Sequence, residues 1–335
     1  MKAFVSIPKG NIFDTFFTTE NIRLAEELGE MVWNDSTQQM TEHELAKRIG
    51  NCDTYVTLWK SPALTKTVLD CAPNLKLLVH LGSTVVPFVS DAMWERGIRV
   101  ISGFDYFSRS TAEGTIAYML AAQRRIPYFN NRLCREGIWR AEDDHTDGLI
   151  YKTIGIVSYG GVGRYVAKML SAFQVNLKVY DIREIPVQDK EAYGIRQCTL
   201  EELFSTCDII SIHTPYNPST HHLIDDHLLS LIKRDALLVN TARGSIIDQA
   251  ALTQHLMQGH FRAALDVLEK EPIAPTDPLP RLKNVLLTPH QAGPTFNLRP
   301  LITESLLREA ADYIDRGQSL RNEIKKEYAD QMSRS

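Results

Sequence analysis

Short apolar runs and amphipathic stretches alternate along almost the whole chain. In the first hundred residues Ala3–Ile7, Glu30–Trp33, Thr54–Trp59, Leu75–Leu81 and Ile98–Ser102 read as strands. Between them, segments around Thr19–Leu28, Thr41–Ile49, Leu64–Cys71 and Phe88–Arg96 carry apolar residues at three- and four-residue spacing, the helical period. Gly29, Gly50 and Gly97 stand where helix C-caps belong. From Lys152 a second series begins, with strands predicted at Thr153–Val157, Leu177–Tyr180, Asp208–His213, Ala236–Asn240, Arg262–Val267 and Val285–Leu287. Strands alternating with helices predict an α/β chain with parallel sheets covered on both faces.

Two longer helices flank the second series. Ser110-Thr111-Ala112-Glu113 has the form of a capping box opening a helix Thr111–Arg125, and Leu298–Arg316 is a second, followed by Gly317 and a polar tail. This arrangement predicts a chain that leaves its first domain and later returns to it. Cys134–Gly148 is polar and acidic and reads as a surface loop; its Glu142, Asp143 and Asp144 read as a solvated turn, since no ligand spacing supports a cation site.

Composition narrows the partners. The 335 residues suit two domains, and 37 basic against 41 acidic residues leave a net charge of −4, without the basic excess of a nucleic-acid or anionic-membrane surface. No apolar run approaches the roughly 20 residues of a membrane span. Pro8, Lys9 and Gly10 interrupt the amino terminus before a signal-like apolar region develops. The five cysteines are an odd count without a C-x-x-C pair, which reads as reduced thiols and a cytoplasmic location.

The predicted strand Thr153–Val157 runs into Ser158-Tyr159-Gly160-Gly161-Val162-Gly163 and then a helix over Arg164–Phe173. The dinucleotide fingerprint is G-x-G-x-x-G, so Gly160 and Gly163 hold its second and third positions and Ser158 replaces the first. The second glycine lets backbone approach a pyrophosphate, and the helix N-terminus offers free amides and positive potential. Asp181, at the end of the next strand, is the acidic residue expected to accept hydrogen bonds from the adenosine ribose, which favours NAD over NADP; Arg183 tempers the preference. An adenosylmethionine-dependent enzyme uses a similar turn, so this motif alone leaves the reaction open.

The later strand ends carry polar groups: His213-Thr214-Pro215, Thr241-Ala242-Arg243-Gly244, Asp266 through Glu271-Pro272, and Pro289-His290-Gln291-Ala292-Gly293. In a doubly wound sheet these ends converge on the ligand crevice. Arg243 offers a planar fork suited to a carboxylate, His290 can exchange a proton near neutral pH, and a neighbouring Glu271 would favour its imidazolium. Arg, Glu and His around a nicotinamide suit reduction of a 2-oxo acid to a 2-hydroxy acid. His221, His222 and His227 read as solvated positions, because no histidine spacing or acidic partner supports a metal, and none is expected.

Taken together, Ile156–Gly163, Ile212–Pro215 with Pro218–Thr220, Asn240–Asp248, Ala264–Pro272 and Leu287–Gly293 resemble the D-isomer-specific 2-hydroxyacid dehydrogenases, and the run NTARGSIIDQAAL is highly specific. The resemblance extends from about Leu75 to Arg316. It implies a flavodoxin-like substrate domain over 1–110 and 298–335, and an inserted Rossmann cofactor domain over 111–297, both doubly wound. It implies Arg243, Glu271 and His290 as the catalytic set. The implied NAD surface is Gly160, Gly161, Val162, Gly163, Asp181, Thr214, Pro215, Thr241, Ala242, Arg243, Asp266, His290 and Gly293. Ser83 and Thr84 fall where the family's backbone amides meet the substrate carboxylate, together with Arg243. The family's G-x-G-V-D stretch reads Gly82-Ser83-Thr84-Val85-Val86 here, so its aspartate is absent. A homodimer through the cofactor domains and a small 2-oxo or 2-hydroxy acid substrate are further implications. Transcriptional corepressors that sense NAD share this fold, so a binding protein is the alternative to an enzyme.

Overall fold

Five strands open the chain: β1 (Lys2–Val5), β2 (Glu30–Trp33), β3 (Thr54–Thr57), β4 (Leu77–His80) and β5 (Arg99–Ser102). They form one sheet in the order β2-β1-β3-β4-β5, with every pairing parallel. Seven more follow: β6 (Thr153–Val157), β7 (Asn176–Tyr180), β8 (Ile195–Gln197), β9 (Ile209–Ile212), β10 (Leu237–Asn240), β11 (Arg262–Leu265) and β12 (Val285–Leu287). Their order is β12-β11-β10-β9-β6-β7-β8, again all parallel. The first order is that of flavodoxin-like sheets and the second that of a Rossmann sheet extended by one strand. The computed structural model describes residues 1–142 and 144–333. The chain divides into two compact units, Met1–Ser108 with Pro294–Ser335, and Arg109–Gly293.

Each sheet separates two apolar clusters, because side chains alternate faces along a strand. In β1, Phe4 joins Tyr55, Leu45 and Leu78 on one face, while Ala3 and Val5 join Val56, Leu306 and Ala310 on the other. In β10, Leu238 packs with Phe204 and Phe261 while Leu237 and Val239 pack with Val166 and Ile209. These central strands are buried on both faces, which is why they read as continuous apolar runs.

Several elements differ from the sequence expectation. The helix expected at Thr111–Arg125 spans Phe104–Gln123, so Ser110 lies buried within it rather than capping it. The start is set upstream, where Ser102 Oγ accepts a hydrogen bond from the Phe104 amide at 3.2 Å. A helix at Ile126–Glu136 takes up the start of the predicted Cys134–Gly148 loop. Beyond it, Asp144 accepts from the Ala141 amide and pairs with Arg132, as a turn residue does; Asp143 lies outside the described residues. Edge strand β8, a short run between polar residues, left no apolar signal. The segment after Gly317 is not a solvated tail: Ile324, Ala329 and Met332 are buried in the first unit. Among the described residues no helix is long and apolar enough to cross a membrane.

Candidate active site

The turn after β6 shows how sequence dictates the dinucleotide loop. Gly160 is the N-cap of the Gly161–Leu170 helix and makes no side-chain cap, so no side chain closes off the first amides. A Cβ on Gly160 would meet nothing within 4 Å, whereas one on Gly163 would lie 2.3 Å from the Ser158 carbonyl oxygen. Gly163 is therefore required for helix and strand to pack, and Gly160 leaves the front of the loop open. Ser158 adopts φ +79, the left-handed conformation that the missing fingerprint glycine would occupy without strain. Val162 is half-buried on this helix beside buried Val166 and Leu170.

Asp181 closes the other side. Its side chain is 5% exposed, one oxygen accepts the Tyr159 amide at 2.7 Å, and the other accepts the Arg183 amide at 2.9 Å. A carboxylate has about four acceptor positions, so capacity remains for ribose hydroxyls. An open amide-lined loop with a carboxylate held at its edge fits a dinucleotide. Arg183 pairs with the same carboxylate across 3.5 Å.

Beyond β9 and β10 the strand ends build a buried polar layer. Thr214 and Thr241 are each 7% exposed. Thr214 Oγ1 donates to the Val157 carbonyl at 3.5 Å, and the Pro215 carbonyl accepts from Thr220 at 2.8 Å. Thr115 Oγ1 donates to the Thr111 carbonyl at 2.8 Å, so the 2.7 Å contact with Thr241 is donated by Thr241. The Ala242 amide donates to Asn240 Oδ1, and the Asn240 side-chain amide donates to the Arg243 carbonyl, each at 3.0 Å. Arg243 Nη1 donates to the Ala242 carbonyl at 2.7 Å. Burial lowers the Arg243 pKa from the usual guanidinium value, and the Glu271 carboxylate opposes that shift. Gly244 is forced by crowding, since a Cβ there would lie 1.9 Å from the Leu268 carbonyl carbon.

His290 and Glu271 meet directly. His290 Nδ1 lies 2.9 Å from Glu271 Oε2, while Glu271 Oε1 accepts the Leu268 amide at 3.0 Å. An ionised carboxylate only accepts, so Nδ1 carries the proton of this bond and Nε2 is the nitrogen turned away from Glu271. The side chains are 49% and 39% exposed, so the pair is reachable from solvent. The loop carrying His290 is fastened by Asp266, which is 2% exposed. Asp266 accepts from Tyr118 Oη at 3.2 Å, Thr288 Oγ1 at 2.6 Å, and the amides of Gln291 and Ala292 at 2.7 and 2.8 Å. Gly293 packs close to Ser110, where an added Cβ would lie 3.0 Å from its Oγ.

Sequence reading missed Thr115 and Tyr118, the helix residues that reach Thr241 and Asp266. Their signal was the spacing of Thr111, Thr115 and Tyr118, which sets three polar groups on one helix face. It also missed an acidic partner for the histidines after β9: His222 Nε2 lies 2.8 Å from Glu269 Oε1, and the His221 ring stacks on His222 at 3.9 Å. These three form the one metal-type cluster among the described residues. One ligand atom from each lies within 4.8 Å of the others, and His222 and Glu269 are joined by the hydrogen bond. Ser83 and Thr84 lie in the first unit, just beyond β4, both half-buried.

Comparison with known proteins places these features. Residues 116–292 match the family described as D-isomer specific 2-hydroxyacid dehydrogenase, NAD binding domain. The chain is 37% identical over 277 residues to a D-3-phosphoglycerate dehydrogenase of Methanocaldococcus jannaschii, covering 82% of this chain and 51% of that protein. It thus spans about half the length of that relative. It is 33% identical to a glyoxylate reductase of Korarchaeum cryptofilum, covering 82% of each. A solved acyclic imino acid reductase in complex with NADPH and D-Arg superposes with a TM-score of 0.77 at 27% identity, over 97% of this chain and 100% of that one. The second unit is an NAD-binding domain, and the chain belongs to the D-isomer specific 2-hydroxyacid dehydrogenases.

Proposed function

We propose that this chain is an NAD-dependent oxidoreductase interconverting a small 2-oxo acid and the corresponding 2-hydroxy acid. The observation that carries this reading is the His290–Glu271 pair at 2.9 Å, held on the same sheet edge as half-buried Arg243. NAD supplies or accepts the hydride when bound. Arg243 holds the substrate carboxylate and polarises the 2-oxo group, as a fork-shaped cation does best. His290 Nε2 gives the proton to the carbonyl oxygen in reduction and takes it back in oxidation. Glu271 keeps the ring oriented, with Nδ1 turned to the carboxylate.

The first unit is assigned the role of substrate domain, with the backbone amides of Ser83 and Thr84 meeting the carboxylate. A homodimer through the second unit is supported by the Ile126–Glu136 helix, which buries none of its residues. Ile126, Leu133 and Ile138 are exposed on and beyond it, and Trp139 is 83% exposed. Such apolar exposure marks an association surface. The unpaired state of all five cysteines supports a cytoplasmic location. The named relatives are enzymes, which supports catalysis over a sensing role.

The test is a panel of 2-oxo acids with NADH, from glyoxylate and pyruvate to phosphorylated and bulky acids, read by loss of reduced-nicotinamide absorbance. Turnover of at least one, abolished in Arg243→Ala, is expected. Binding of NADH without turnover of any member would favour the sensor instead.

A further inference from the structure

The substrate loop after β4 is tied to the far end of the chain by a side chain of its own. Thr84 stands at the second glycine of the stretch that the family writes Gly-x-Gly-Val-Asp, and its Oγ1 donates to the Ser333 carbonyl at 2.8 Å. A glycine there could make no such bond. The segment that ends at Ser333 is built into the first unit over its whole length. At its start the buried carboxylate of Glu309, 4% exposed, accepts the Arg321 and Asn322 amides at 2.5 and 2.8 Å and the Asn322 side chain at 2.5 Å. Glu323 then bridges antiparallel to Ile101 of β5, and the Ile324 amide donates to the Val100 carbonyl at 2.9 Å. Ile324, Ala329 and Met332 are buried in the cluster that holds Val85 and Phe88 of the substrate loop. Lys326 pairs with Asp91 at 2.7 Å.

We propose that residues 321–333 are a strap that positions the substrate-carboxylate loop, with Thr84 as the positioning residue through which it acts. The physical case is one of preorganisation. Backbone amides bind a carboxylate well only if they are already aimed at it, and a loop free to move must be ordered when the ligand arrives. Glu309 fastens the strap at one end and Thr84 at the other, with apolar burial between, so Ser83 and Thr84 are held before substrate binds. Thr84 thus does two separate jobs: its amide faces the ligand, and its hydroxyl faces the strap. This rests on the reading of Gly82–Thr84 as the carboxylate loop.

The experiment compares Thr84→Val, Thr84→Ser and Met332→Ala with the wild type on whichever oxo acid it turns over fastest. Thr84→Val keeps the shape and loses the donor. It should raise KM for the acid about 2- to 10-fold, the scale of one hydrogen bond, with the NADH dissociation constant unchanged. Thr84→Ser should restore KM, and Met332→Ala, which loosens the strap from below, should shift KM the same way. Amide exchange at Ser83 and Thr84 should quicken in Thr84→Val and Met332→Ala without ligand. An unchanged KM and unchanged exchange in Thr84→Val overturn the strap. A wild type that turns over no oxo acid overturns the proposed activity instead, and amide exchange then still judges the strap.

Discussion

Asp266 holds His290 by its backbone and the residues after it by its side chain: the His290 amide donates to the Asp266 carbonyl at 2.8 Å, and the Asp266 carboxylate receives the amides of the next two residues, Gln291 and Ala292. The carboxylate that the family resemblance assigns to the cofactor surface is thus also the fastening of the loop that carries His290. Asp266→Asn would set an N–H donor against an N–H donor and remove a buried charge that four groups stabilise. Hydrogen bonds to a charged group contribute about 1.5–3 kcal/mol each, so a stability loss of about 2–4 kcal/mol is expected, with kcat falling more than tenfold. Urea unfolding together with steady-state kinetics checks both, and wild-type stability would show that the loop is fastened elsewhere.

Ser158 holds the left-handed conformation at φ +79 in place of the usual fingerprint glycine. A non-glycine residue there costs about 1–2 kcal/mol, and glycine returns about 0.4–1 kcal/mol of that through unfolded-chain entropy. Ser158→Gly should therefore stabilise the cofactor-free protein by up to about 1 kcal/mol. A lower unfolding midpoint in denaturant would mean that the Ser158 hydroxyl makes a contact that outweighs the strain.

Two buried histidines should make the fold less stable as pH falls. Burial pushes the pKa of both His80 and His213 down to about 3, with His80 beside Thr57 Oγ1 at 3.0 Å and His213 beside Ser211 Oγ at 2.9 Å. Their folded pKa lies below the unfolded value of about 6.5, so the unfolded chain takes up protons first as pH falls. The stability they permit is complete above about pH 6.5 and is lost progressively toward pH 3. The slope reaches about 1.4 kcal/mol per pH unit for each histidine, or about 4 kcal/mol for the two by pH 5. Replacing either with Gln should lower the slope of unfolding free energy against pH between 6 and 5 by about 1.4 kcal/mol per pH unit, whatever it does to absolute stability. An unaltered slope in both variants would rule them out as the titrating groups.

His290→Ala should lose about 10²–10⁴-fold in kcat, the range of general acid–base catalysis, with NADH binding little changed. Glu271→Gln keeps an oxygen for the Leu268 amide but removes the charge facing Nδ1, so it should fall between wild type and His290→Ala. Fluorescence titration with NADH separates binding from turnover. A Glu271→Gln enzyme as fast as wild type would mean that the carboxylate does not assist His290.

Asp181 should make NADH the better cofactor, because a 2′-phosphate would face a carboxylate that is almost fully buried. Asp181→Ala should narrow the ratio of kcat/KM between NADH and NADPH at least tenfold, with Arg183 then able to meet the phosphate. Equal use of both cofactors by the wild type would remove Asp181 from the ribose site.

Much of the protein is local in origin and was legible in the chain. Strands buried on both faces must be continuous apolar runs, so β3, β4, β9 and β10 lie within the runs that predict them and β6 on the very residues of its run. Gly163 follows from the close approach of a helix to the strand before it, and the polar residues at successive strand ends follow from a parallel sheet, which gathers those ends on one edge. What the sequence could not decide is whatever depends on partners distant along the chain. The Thr115–Thr241 and Tyr118–Asp266 contacts join residues more than a hundred positions apart. The acidic partner of His222, the buried course of the strap beyond Glu309 and the tie from Thr84 to Ser333 are of the same kind. A polar residue looks alike in sequence whether it faces water or a buried donor, and only the packed tertiary structure determines which of the two it meets.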